Sequence, residues 1–115
     1  MKPLNRESFL AAATPHARDF TPPALGQVVR IRKLTGAGRD TFRTTVEGGD
    51  KTLSFFEAAV VVMALVDEHD APLFAVEDIA LLRDRLDSVV ISQLAAEALA
   101  LNKIGPAAEE AAAKN

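Results

Sequence analysis

Apolar residues fall along this chain in stretches of differing period, and the periods predict the elements. Asn5 stands where a helix cap belongs, with Glu7 in the first turn, Phe9 and Leu10 as apolar anchors and Pro15 as a stop. From Gln27 to Leu34 the pattern alternates, Val29 and Ile31 against Arg30 and Arg32. That is a strand with one face on a core and one basic face in water. Thr21-Pro22-Pro23 and Gly26 mark a second extended piece before it, so a small hairpin is predicted, its first strand an edge because of the two prolines. Thr35 then caps a helix over 36–46 that Gly48-Gly49 stop, weak on propensity because of its early glycines and several threonines. Asp50 to Ser54 reads as a linker.

Phe55 to Val66, FFEAAVVVMALV, carries no clear period. Three consecutive valines favour a strand; the Ala, Met, Leu and Glu and the length favour a helix. We read a helix over 54–66 that is apolar nearly all round and therefore central. After an acidic loop, 76–85 reads as a short helix with Glu77 and Asp78 at its positive end and Arg83 and Arg85 near its negative end. Asp87 or Ser88 caps a last helix over 88–103, with Val90, Ile91, Leu94, Ala98 and Leu101 on one arc and Ser88, Ser92 and Lys103 opposite. Gly105-Pro106 is its stop signal. The predicted class is α+β, mostly α: a small N-terminal β-hairpin followed by a compact bundle of about four helices. Residues 1–105 form one domain in this reading (N-terminal helix and hairpin over 1–34, helical part over 35–105), and 106–115 form a flexible Ala/Glu tail.

Composition narrows the function classes. With 115 residues, 49% hydrophobic and 25% charged, the chain has ordinary globular composition and the length for one core. It has no cysteine, which excludes disulfides, thiolate metal sites and a Cys nucleophile and fits a cytoplasmic protein. The N-terminal MKPLNRESFLAAA lacks the pattern of a signal peptide, and the longest apolar run is too short to span a bilayer. A net charge of −3 argues against nucleic acid as the main partner.

The densest polar stretch is VDEHDAPLFAVED, Val66 to Asp78. Read from Asp67 as a calcium loop, it offers His69, Ala71 and Pro72 where carboxylates and a glycine are needed. As a transition-metal site it offers one histidine, since His16 lies far away in sequence. Its carboxylates sit in a polar turn, where nothing raises a pKa for acid–base work, and they suit a turn and a helix start. GAGRD at Gly36–Asp40 lacks the rest of a dinucleotide or P-loop fingerprint. The segment 76–98 has the layout of a helix-turn-helix, so a small DNA-binding regulator is the alternative reading. Its second helix, however, offers Val89, Val90 and Ile91 where base-reading side chains belong. No catalytic residue, cofactor or metal is assigned.

Three segments resemble the tail assembly chaperones of long-tailed, lambda-like phages and prophages. VVRIRKLTGAGRDTF (Val28–Phe42) is similar to that family's V-R-x-L-T-G-x-E-R-D segment, with Gly38 where an acid is common. ALVDEHDAPLFAVEDIALLRDRLDSVV (Ala64–Val90) is similar to its L-V-D-E-D-G-x-P-L-F segment and the acidic helix after it, without the glycine of that turn. ISQLAAEALALNKIG (Ile91–Gly105) resembles its last helix, ending in Leu101-Asn102. The resemblance implies a non-enzymatic chaperone of the short form, acting in the host cytoplasm and absent from the mature virion. It would bind the tape measure protein, keep it soluble and promote tail tube assembly around it. A longer frameshifted form would contact the tube protein. Self-association is a further expectation; nucleic acid and membrane are not expected partners. For the protein-binding surface we single out Phe55, Phe56, Val89 and Leu99, apolar residues in excess of what the core needs.

Overall fold

In a computed structural model, which describes residues 2–104, five helices and a three-stranded sheet follow one another. Helix α1 (Arg6–Ala13) leads into strands β1 (Ala17–Phe20) and β2 (Val29–Arg32). Helices α2 (Gly36–Glu47) and α3 (Leu53–Ala64) come next, then strand β3 (Leu65–Val66). A 3-10 turn (Val76–Asp78) opens helix α4 (Ile79–Arg85), and α5 (Ser88–Asn102) closes the described chain. This is the predicted α+β, mostly α class. The tail expected over 106–115 lies outside the described residues.

Side-chain caps set the helix starts. Asn5 Oδ1 accepts from the Ser8 N–H at 2.8 Å, and Thr35 Oγ1 from the Gly38 N–H at 3.0 Å. Asp87, rather than Ser88, caps α5, accepting from Val89 and Val90 at 2.9 and 3.2 Å. Thr52 caps α3 through the Phe55 N–H, so the expected linker is shorter by two residues. At the other end, α5 stops at Asn102. Lys103 takes the left-handed conformation with φ 56°, and the Ile104 N–H returns to the Leu99 carbonyl, so the chain reverses before Gly105-Pro106.

Helix α3 is the centre. Seven consecutive residues, Ala58 to Ala64, are buried. They can be, because α2, α4 and α5 all pack on this helix, with the sheet behind them, so no face is left for water. Helix α5 contributes Val90, Ile91, Leu94, Ala95 and Ala98 to the same core, α4 contributes Ile79 and Leu82, and α2 contributes Phe42. Phe42 meets Phe56 edge-on, with ring centroids 5.8 Å apart.

The sheet runs β1-β2-β3, antiparallel throughout, with Ile31 opposite Leu65 and Arg30 opposite Val66. The last two residues of the expected 54–66 helix are therefore a strand. Leu65 and Val66 leave the helix because β2 offers them an open edge, and Ile31, wholly buried, seals the contact. The basic face of β2 is not simply solvated either. Arg30 is held between Asp19 and Asp70, and Arg32 Nε donates to the Met63 carbonyl at 3.3 Å. Ser92, expected on the solvent side of α5, is half-buried and donates to Glu57 of α3 at 2.7 Å.

One expectation fails outright. Phe9 and Leu10 do not anchor α1 to the core: they are 57% and 47% exposed, and no residue of α1 is buried. The apolar pair has the spacing of a packing face, but no other element covers it.

Candidate functional site

The acidic stretch is a folded turn. The Asp67 carboxylate accepts from the backbone N–H groups of His69 and Ala71 at 2.8 and 3.1 Å. Those two donors hold its carboxyl below the usual range. Asp70 sits in the left-handed region at φ 64°, a conformation that Asp tolerates better than most residues. Its Oδ1 accepts from Arg30 Nε and Nη2 at 3.0 and 2.8 Å, while Arg30 Nη1 reaches Asp19 at 3.0 Å. The hydrogen bond and charge of Asp70 hold Arg30 still more firmly protonated than usual. Asp78 accepts from the Ala75 N–H at 2.8 Å, closing the start of the 3-10 turn. Glu68 and His69 remain at the surface. Among the described residues no group of three or more His, Asp or Glu is placed to hold a metal ion. Three of the five carboxylates, Asp67, Asp70 and Asp78, are committed to backbone or arginine.

The first turns of α5 are engaged within the molecule. Val90 and Ile91, in the first turn of α5, are in the core, and Gln93 is taken by the Ala24 N–H at 2.8 Å. Glu97 of the same helix pairs with Arg18 of β1. A recognition helix needs free polar side chains on that face; here it fastens the hairpin.

What the surface does offer is a shallow apolar cleft, open to solvent on one side, with a free volume of about 10 Å³. Val60, Met63 and Ala64 of α3 and Ala98 of α5 line it, with Phe42 of α2 and Leu99 of α5, and Leu34, Asn102 and Ile104 complete it. Asn102 fixes its end. Its Oδ1 accepts from the Leu34 N–H at 2.7 Å and its Nδ2 donates to Ala98 at 2.9 Å, tying the β2–α2 link to α5. That tie is a role for the Leu-Asn pair which pattern alone did not reveal.

Of the four residues singled out for binding, Leu99 lies in this cleft, half-buried. Phe56 is behind it against Phe42. The Phe55 ring lies against Gly49 and beneath the Arg83 guanidinium, 5.8 Å from its centroid. Arg83 also donates to Ser54, Thr52 and Asp50. Val89 is 53% exposed, ten residues before Leu99 and so roughly 15 Å away along the helix. Phe56 and Leu99 are thus joined through Phe42, while Val89 belongs to the other end of α5.

This arrangement of helices and hairpin recurs in a solved structure, that of the bacteriophage HK97 tail assembly chaperone. The two match with a TM-score of 0.60 at 18% sequence identity, over 84% of this chain and 98% of that one. The chain has the fold of a phage tail assembly chaperone. No protein-family model matches the sequence, and no curated protein matches it. Similarity to this chaperone fold therefore rests on architecture, and at 18% identity most side chains of the two proteins differ. Among the described residues no helix is long and apolar enough to cross a membrane.

Proposed function

We propose that this protein is a tail assembly chaperone. It binds the tape measure protein in the bacterial cytoplasm, keeps it soluble and promotes assembly of the tail tube around it, without catalysis. The observation that carries this reading is the shared fold over nearly the whole of the HK97 chaperone, with the three sequence motifs in the family's order along the same chain. The physical features agree. An apolar cleft between helices suits an amphipathic helix of a long helical partner, and a net charge of −3 favours a soluble complex. Leu99 lies in that cleft and Phe56 packs on its Phe42 lining, with Phe55 and Val89 as outlying candidate contacts. A longer form made by frameshifting would carry the contact to the tube protein, and self-association would be compatible with the role.

The test is co-expression with a tape measure protein from the same genome. The tape measure protein should move into the soluble fraction and co-purify. Unchanged solubility with nothing co-purifying would sink the proposal.

A further inference from the structure

Helix α2 is fastened to the core more weakly than α3, α4 or α5. It buries one residue, Phe42, with Gly38, Thr45 and Val46 half-buried on the same stripe. By contrast α3 buries seven residues and α5 five, and even the shorter α4 buries two. The polar ties differ more. Arg83 joins α4 to Ser54, Thr52 and Asp50. Ser92, Gln93 and Glu97 join α5 to Glu57, Ala24 and Arg18. Among the described residues, no side-chain hydrogen bond or ion pair runs from α2 to another helix or strand. The Thr41 and Thr45 hydroxyls donate to carbonyls of their own helix, and Lys51 donates to the last carbonyls of α2 from the loop that follows. Nor is the helix held by propensity. Gly36, Gly38, Thr41, Thr44, Thr45 and Val46 are all poor helix formers.

We infer that α2 is a lid. It opens as a unit between the Asn102 clamp on Leu34 and the Gly48-Gly49 pair, while α3, α4 and α5 stay folded. An element with one buried anchor and a largely solvated backbone opens at a lower free energy than the whole molecule. The cleft is the seam of this lid. Closed, it has a free volume of about 10 Å³, room for a water molecule and for no side chain. Phe42 forms one wall, edge-on to Phe56, beside Val60, Met63 and Leu99. Withdrawing Phe42 uncovers Phe56, Val60 and Met63 and leaves the packing of α3 on α4 and α5 in place. One step rests on the chaperone reading: an apolar side chain of the partner enters while α2 is open, and α2 closes over it.

The experiment is amide hydrogen exchange of the full chain, with no partner, in urea below the unfolding transition. Amides of residues 40–47 should exchange about a hundredfold or more faster than those of 60–64 and 94–98. Their exchange should depend little on urea, because a local opening exposes little surface. Thr41→Ala/Thr44→Ala, at two exposed positions, raises helix propensity without touching the core. It should slow exchange over α2 about fivefold and leave residues 60–64 unchanged. Residues 40–47 exchanging in step with 60–64 at every urea concentration, in wild type and variant, would overturn the inference. Association with a tape measure protein from the same genome should slow by a similar factor in the variant, since fewer molecules are open. Unchanged association would overturn the lid's part in binding and leave the chaperone reading intact. No association by wild type would overturn that reading, and exchange would still decide whether α2 opens on its own.

Discussion

Helices α1 and α3 begin alike and end up opposite. Each starts at a side-chain cap, Asn5 for one and Thr52 for the other. Yet α3 has seven buried residues and α1 has none. Local signals say where a helix starts; burial decides whether the rest of the molecule depends on it. An eight-residue helix with no packed face draws little on the fold, because isolated helices of that length are marginal in water. Helix α3 is the reverse case, a capped segment that is also fixed from all sides.

That contrast can be broken most severely at the middle of α3. Val61 is wholly buried, and Val61→Asp would place an unpaired carboxylate among aliphatic side chains. The cost, several kcal/mol, is comparable with the entire stability of a small domain. The variant should have lost its cooperative thermal transition by circular dichroism; a retained transition near the wild-type temperature would show that α3 is not the core.

Asn102→Ala comes next. It leaves the Leu34 N–H without its acceptor and opens the end of the cleft. A loss of about 1–3 kcal/mol is expected by urea titration. A neutral result would mean that water replaces the amide at no cost.

Gly49→Ala sharpens the comparison at the start of α3. Gly49 has no positive φ, so backbone entropy alone would make alanine stabilising. A Cβ there would overlap the Phe55 ring, which Arg83 holds from the other side. The expected outcome is destabilisation by about 1–2 kcal/mol. A gain in stability would show that the ring moves freely.

The smallest effect comes from paired caps. Asp87→Ala, at the start of a core helix, should cost about 1 kcal/mol of global stability. Asn5→Ala removes the same kind of bond from α1 and should leave the midpoint unchanged within about 0.5 kcal/mol, as for an ordinary surface substitution. Equal losses would show that α1 is coupled to the core after all.

Much of this architecture was legible in the chain. Asn5, Thr35 and Asp87 announced their helices because capping is a local interaction, and alternation over Val29–Arg32 announced a strand for the same reason. Strand β3 was hidden. Leu65 and Val66 continue an apolar run, and only the edge of β2, more than thirty residues earlier, makes them a strand. The Arg30 pairings with Asp19 and Asp70 and the Asn102 clamp are likewise non-local. Phe9 and Leu10 misled in the other direction, since apolar spacing marks a face able to pack without showing that anything packs on it. The cleft is assembled from three helices and the residues flanking them, so no window of sequence contains it.

The central claim is that this fold works by holding a partner helix in that cleft. Hydrogen–deuterium exchange of the full chain, with and without the co-expressed tape measure protein, tests it most directly. The account predicts slowed exchange over α2 and the second half of α5, including Leu34 to Val46 and Ala98 to Ile104, with the acidic turn and α4 unaffected. Protection confined to α1, α4 or the acidic turn, or none at all in a complex that demonstrably forms, would contradict it.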